Sequence, residues 1–267
     1  MTVDAANYVA MARSRLDHAC YRQNELMYEC GRYLAAKPFH VERESFVNHD
    51  GMPSVRFRYR VTVLPPSSLG LLAGEVVHQL RATLDNLAWA LGRVYPSPNR
   101  KAKNEKLAFP VAESEKKYQD KLNEPAYLGI RDFPNEAQSA LLDAQSFRRS
   151  LHGPDLWVLH RLWNADKHRV PSVFIAQSAG VSQDMDLRAP AFIGNGEITD
   201  GVVFVEGALP PQGIAPDAMP KITGVVLGVN DPDEPLAKYA FEPLLYGHIQ
   251  LVNGVIDRLT PLFRPST

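Results

Sequence analysis

Imidazole, guanidinium, carboxylate and indole side chains concentrate in two short stretches, Glu75–Trp89 and Trp157–Arg169, and any chemistry this chain performs is expected there. In the first, His78, Arg81, Asp85 and Trp89 fall within about 80° of one another on a helical wheel, with Arg81 and Asp85 one turn apart. In the second, Trp157, His160, Arg161, Asn164 and His168 share one face. Asp166 falls on the apolar side with Leu156, Leu159, Leu162 and Trp163. It is therefore expected to be buried against a cation, Arg81 or Arg169, because an isolated buried carboxylate is costly.

Spacing narrows that chemistry. His160 and His168 would lie two turns, about 12 Å, apart on one helix and cannot hold one ion together, so no metal site is expected. The sequence has no glycine-rich phosphate loop ending in Lys-Ser or Lys-Thr, no dinucleotide fingerprint and no nucleophile elbow, and no cofactor is expected. Arg161 and His168 differ by about 20° around a continuous helix axis, so both could reach one phosphate. Lys167-His168-Arg169 has a structural use too, since cations at a helix C-terminus complement its macrodipole.

Two resemblances follow from these residues. The helix Glu75-Val-Val-His78-Gln-Leu-Arg81-Ala-Thr-Leu84-Asp85-Asn-Leu-Ala-Trp89, the pair Phe109-Pro110 and the run Asn164-Ala-Asp166-Lys167-His168-Arg169 resemble a widespread bacterial family of hypothetical proteins. Its members share an "E..H.LRs.LD.LaW" helix and an "N.DKHR" helix end. The likeness spans most of the chain and implies a bacterial protein without implying an activity. Arg161 and His168, with six residues between them, resemble the Arg–His pair of the HEPN ribonucleases. That resemblance implies metal-independent RNA cleavage, often at a dimer-assembled site. His168 would be the general acid–base and Arg161 would stabilise charge at phosphorus.

The elements that must position these residues are legible from periodicity. A long helix is expected over Asp4–Ala35, with Val9, Ala12, Leu16, Ala19, Leu26, Cys30 and Tyr33 on one stripe that Gln23 interrupts. Phe39–Val47 and Val55–Val63 alternate around Asn48-His49-Asp50-Gly51 and predict a hairpin in which Glu42 faces Arg60 and Glu44 faces Arg58. Pro65-Pro66-Ser67-Ser68 caps the first motif helix, expected over Leu69–Val94. A polar loop over 96–106, the apolar anchor Phe109-Pro110-Val111 and weaker helices near Glu113–Leu122 and Pro134–Gln145 lead to the second motif helix, Pro154 to His168. Strands are expected at Val173–Gln177, Met185–Ile193, Val202–Glu206 and Ile222–Val229, with connections too short for parallel crossovers. A closing helix is expected at Pro243–Leu262. The fold class is α+β: long N-terminal, central and C-terminal helices bundled with an antiparallel β-sheet, as a single domain over residues 1–267.

Composition sets outer bounds. A net charge of −1 over 267 residues lacks the basic excess of a protein that wraps nucleic acid. No stretch approaches the ~20 apolar residues of a membrane span, and residues 1–15 carry no apolar leader core. Cys20 and Cys30 would lie about 15 Å apart on one helix, too far to pair. A soluble, cytoplasmic protein without a membrane partner is expected. The favoured reading is a non-catalytic binding or assembly protein with a structural polar helix seam, for which a second copy of the chain is a fitting partner. One alternative is the ribonuclease using Arg161 and His168, the single reading in which RNA is a partner. Another is a small-molecule site between the motif helices, where His78, Asp85, Asp166 and His168 converge beside Arg81 and Asn164, with Trp89 or Trp157 as an apolar wall.

Overall fold

The computed structural model describes residues 5–96, 107–148, 155–167, 173–177, 181–182, 187–192, 197–215, 218–222, 224–230 and 238–263, and structural statements concern these. They form six α-helices: α1 (Ala5–Ala35), α2 (Ser67–Val94), α3 (Glu115–Lys121), α4 (Asn135–Asp143), α5 (Leu156–Asp166) and α6 (Phe241–Leu259). Nine strands accompany them: β1 (Phe39–Val47), β2 (Pro53–Val61), β3 (Val173–Gln177), β4 (Val181–Ser182), β5 (Arg188–Phe192), β6 (Val203–Ala208), β7 (Lys221–Ile222), β8 (Val225–Asn230) and β9 (Lys238–Ala240). The fold is α+β, a bundle of long helices with antiparallel strands.

Ala12, Leu16, Ala19, Gln23, Leu26, Cys30 and Tyr33 are separated alternately by four and three residues, the step that keeps one side of a helix against a neighbour. All seven are buried, Gln23 included. This seam packs along α2, and both helices contact α6. Leu80, Leu84 and Leu87 of α2 and Val252, Ile256 and Leu259 of α6 are all at 0% exposure, on two helices that contact each other.

The strands depart from expectation in two ways. The hairpin pairs Glu42 with Arg58 and Glu44 with Arg56, two residues out of the expected register. Its turn explains the slip: the Asn48 Oδ1 accepts from the backbone N–H of Asp50 and Met52, closing the loop early so that Pro53 pairs with Val47. The expected ion pairs form as diagonals, with Arg60 Nε donating to Glu42 Oε2 at 2.8 Å and Arg58 contacting Glu44. Secondly, the strands make three sheets, β1-β2-β6-β5, β3-β8-β9 and β4-β7. The hairpin does extend the largest through β2–β6. Pro210, Pro211 and Pro220, which donate no backbone hydrogen bond, interrupt the chain between β6 and β7. Residues 97–106 of the expected 96–106 loop, Pro154 and His168 lie outside the described residues.

Two features set α5 in place. Asp155 caps it, its side chain accepting from Val158 N at 2.7 Å, while the Asp155 carbonyl lies 2.9 Å from Nε2 of His248, a fully buried residue of α6. At the other end, Asp166 rests against Gly74 of α2, where an added Cβ would lie only 2.7 Å from the Asp166 Cγ. Helix-interior Gly→Ala changes normally stabilise by up to ~1 kcal/mol. Gly31→Ala and Gly254→Ala, which meet open space, are expected to follow that rule. Gly74→Ala is expected to forfeit that gain in urea denaturation, because the added Cβ meets the Asp166 carboxylate, which must move aside.

Candidate functional site

Leu107, Phe109, Val111 and Ala112 are all at most 5% exposed, so the segment 107–112 runs through the interior. Its backbone groups need partners other than water. Arg81 Nη2 donates to Asp85 Oδ1 and to the Phe109 carbonyl, both at 2.7 Å, and Asp85 Oδ1 accepts from Phe109 N at 2.9 Å. Gln145, fully buried just past α4, completes the clasp. Its Nε2 donates to the carbonyls of Pro110 and Leu141, and its Oε1 accepts from Ala112 N. The i,i+4 pair on α2 therefore holds this segment through charge-assisted hydrogen bonds.

α5 supplies the opposite wall. The Arg81 guanidinium carbon lies 5.1 Å from the centroid of the Trp163 ring, and Lys167 Nζ lies 3.1 Å from it. His160 packs beside that indole, ring centroids 5.8 Å apart. The Asn164 amide nitrogen sits 3.2 Å from His160 Nε2. An amide nitrogen only donates, so Nε2 accepts and the neutral ring carries its proton on Nδ1. Arg81 is 2% exposed. Its Nε and Nη1, together with His160 Nδ1 and Trp163 Nε1, are buried and have no hydrogen-bond partner among the described residues. Each unpaired donor costs its desolvation.

The electrostatics follow from that arrangement. Burial first, then the charges of Arg81, Lys121 and Lys167, push the His160 imidazole down from 6.5 to about 3. Lys121 is lowered by burial, with Glu124 opposing and Arg81 adding to the shift. Lys167 is lowered by burial and Arg81, against Asp85. Burial raises the Tyr127 phenol, which Arg81 opposes and Asp85 and Glu124 reinforce. The charge of Arg81 thus reaches four groups, Lys121 at the end of α3, Tyr127 beyond it, and His160 and Lys167 on α5 and its C-cap, and the carboxylates named among these causes are Asp85 and Glu124.

Of the residues singled out by sequence, Arg81, Asp85 and Asn164 come together here. Asp166 does not pair with Arg81, whose Nη2 already serves Asp85 and Phe109. It lies two turns away at Gly74, half-buried, its carboxyl raised by burial, with exposed His78 opposing and Glu75 adding to the shift. Trp89 is 40% exposed and packs edge-on against Tyr8 of α1. Arg161, expected on the polar face, is buried at 8% exposure. His168 and Arg169, and with them the Arg161/His168 pair, fall outside the described residues. Lys121, Tyr127 and Gln145 carry no sequence signal, since they lie far from both motifs and no periodicity links them. Trp163 reads as core by spacing, yet it forms the wall. No group of three or more metal-ligating side chains is found among the described residues. Compared with known proteins, the chain matches no family model, no curated protein and no solved structure, so the resemblances rest on its motifs alone.

His160 gives this cluster a pH signature. Its folded pKa lies below the unfolded value, so on acidification the unfolded chain takes the proton first. Stability is complete above pH 6.5 and falls as the pH drops towards about 3, by at most about 1.4 kcal/mol per unit for this one group. His160→Gln is expected to give a visibly shallower decline between pH 6.5 and about 5 in urea titrations. An unchanged slope would mean that burial and the neighbouring cations do not hold His160 below its ordinary range.

Proposed function

We propose that this chain is a cytoplasmic, non-catalytic binding protein in which the polar α2–α5 seam is a structural clasp. The observation that carries this reading is Asp85 Oδ1, which accepts from both Arg81 Nη2 and Phe109 N. A carboxylate so engaged is committed to holding the fold and is poorly available as a catalytic base. The unpaired cysteines Cys20 and Cys30 suit a reducing compartment, and no helix among the described residues is long and apolar enough to cross a membrane.

One specific observation favours a second, compatible reading, a small-molecule site between the motif helices: the four unpartnered donors on Arg81, His160 and Trp163. The ribonuclease reading draws less support, because buried Arg161 offers little to a phosphate backbone.

The test combines stability and activity. Asp85→Ala should cost about 3 kcal/mol, since it leaves Arg81 uncompensated in the interior. The wild-type protein should leave single-stranded and structured RNA intact in metal-free buffer. RNA cleavage abolished by His168→Ala at unchanged melting temperature would overturn the reading, as would a neutral Asp85→Ala.

A further inference from the structure

The seam's donors outnumber its acceptors. Arg81 Nε and Nη1, His160 Nδ1 and Trp163 Nε1 are four buried N–H groups without a partner among the described residues, carried by three neighbouring side chains. Two lysines stand nearby, Lys121 at the end of α3 and exposed Lys167 just past α5. The opposing anions are few: Asp85 Oδ1 is occupied by Arg81 and Phe109, and Glu124 is exposed. Donor-rich, cation-rich and acceptor-poor surroundings match a group that offers several lone pairs and negative charge at once. Water, which brings two donors of its own, suits them poorly.

We infer that this cluster binds a small oxyanion, carboxylate or phosphoryl, borne by a low-molecular-weight ligand; this rests on the binding reading above. In the bound state Arg81 Nε and Nη1 and the Trp163 indole N–H donate to the oxyanion, with His160 Nδ1 beside them. The Lys167 ammonium, which lies 3.1 Å over the indole, swings out to admit the ligand and then faces its charge. His160 stays neutral and donates from Nδ1 because its Nε2 is held by Asn164. Asp85 keeps Arg81 fixed by Nη2, so the ligand meets a guanidinium already oriented.

Inorganic phosphate and succinate serve as probes of the two chemistries, each titrated against chloride at constant ionic strength, with melting temperature and indole fluorescence as readouts. Saturable stabilisation by at least one probe is expected. Trp163→Phe keeps the ring but removes the N–H, and should weaken binding about tenfold. Lys121→Met and Lys167→Met, on a half-buried and an exposed side chain, should weaken it several-fold, each read against that variant's own unliganded melting temperature. Should Trp163→Phe fail to fold, the two lysine variants carry the test. No saturable response to either probe, or equal responses in all variants, would overturn the inference. If Asp85→Ala still destabilises and RNA stays intact, that failure removes the anion site and leaves the clasp reading standing; a neutral Asp85→Ala removes the clasp instead.

Discussion

A single guanidinium, that of Arg81, has to be held inside the protein, and much of its surroundings follows from that requirement. At 2% exposure it cannot be solvated, and a charge taken out of water is tolerated when it is paired and hydrogen-bonded. Asp85, one turn on, supplies the charge, and the Phe109 carbonyl supplies a second acceptor. The same carboxylate oxygen then satisfies Phe109 N. One pair thereby solves two problems, the buried cation and the buried backbone of the 107–112 segment. Gln145 handles the rest of that segment with neutral bonds, so the charged clasp and the amide clasp divide the backbone between them.

The clasp is incomplete on one side, and that side faces α5. Three aromatic or guanidinium side chains meet there with donors left over, where burial and then the surrounding cations keep His160 neutral. A purely structural seam would gain by burying apolar groups instead. The uncompensated donors beside a satisfied ion pair are the observation on which the proposed anion site rests.

Periodicity made most helices legible. The seam of α1, the apolar face of α2 and the stripe of α6 are determined by local repeats, and each element ends within a few residues of its expected bounds. Strand grouping was harder. The hairpin register turned on the Asn48 side chain, and the split into three sheets turned on long-range strand pairing that no local repeat encodes. At the candidate site, wheel geometry found the Arg81–Asp85 pair because both lie on one helix. It offered Arg81 or Arg169 as the partner of Asp166; Arg81 is not that partner, because a wheel gives the side of a helix and not the height at which two helices meet, and Arg169 lies outside the described residues. Gly74, two turns before Arg81, is where Asp166 lands. Lys121 and Tyr127 were invisible for the same reason: only tertiary packing brings them near Arg81.

The central claim is that Arg81 and Asp85 act as one unit inside the seam. A double-mutant cycle in urea denaturation, comparing Arg81→Met, Asp85→Leu and the double variant, tests it most directly. Either single change should leave a buried group without its partner and cost several kcal/mol. The double variant should cost less than their sum by about 2 kcal/mol or more. Losses that add to within about 0.5 kcal/mol would show that the two side chains are independent, and would contradict the account.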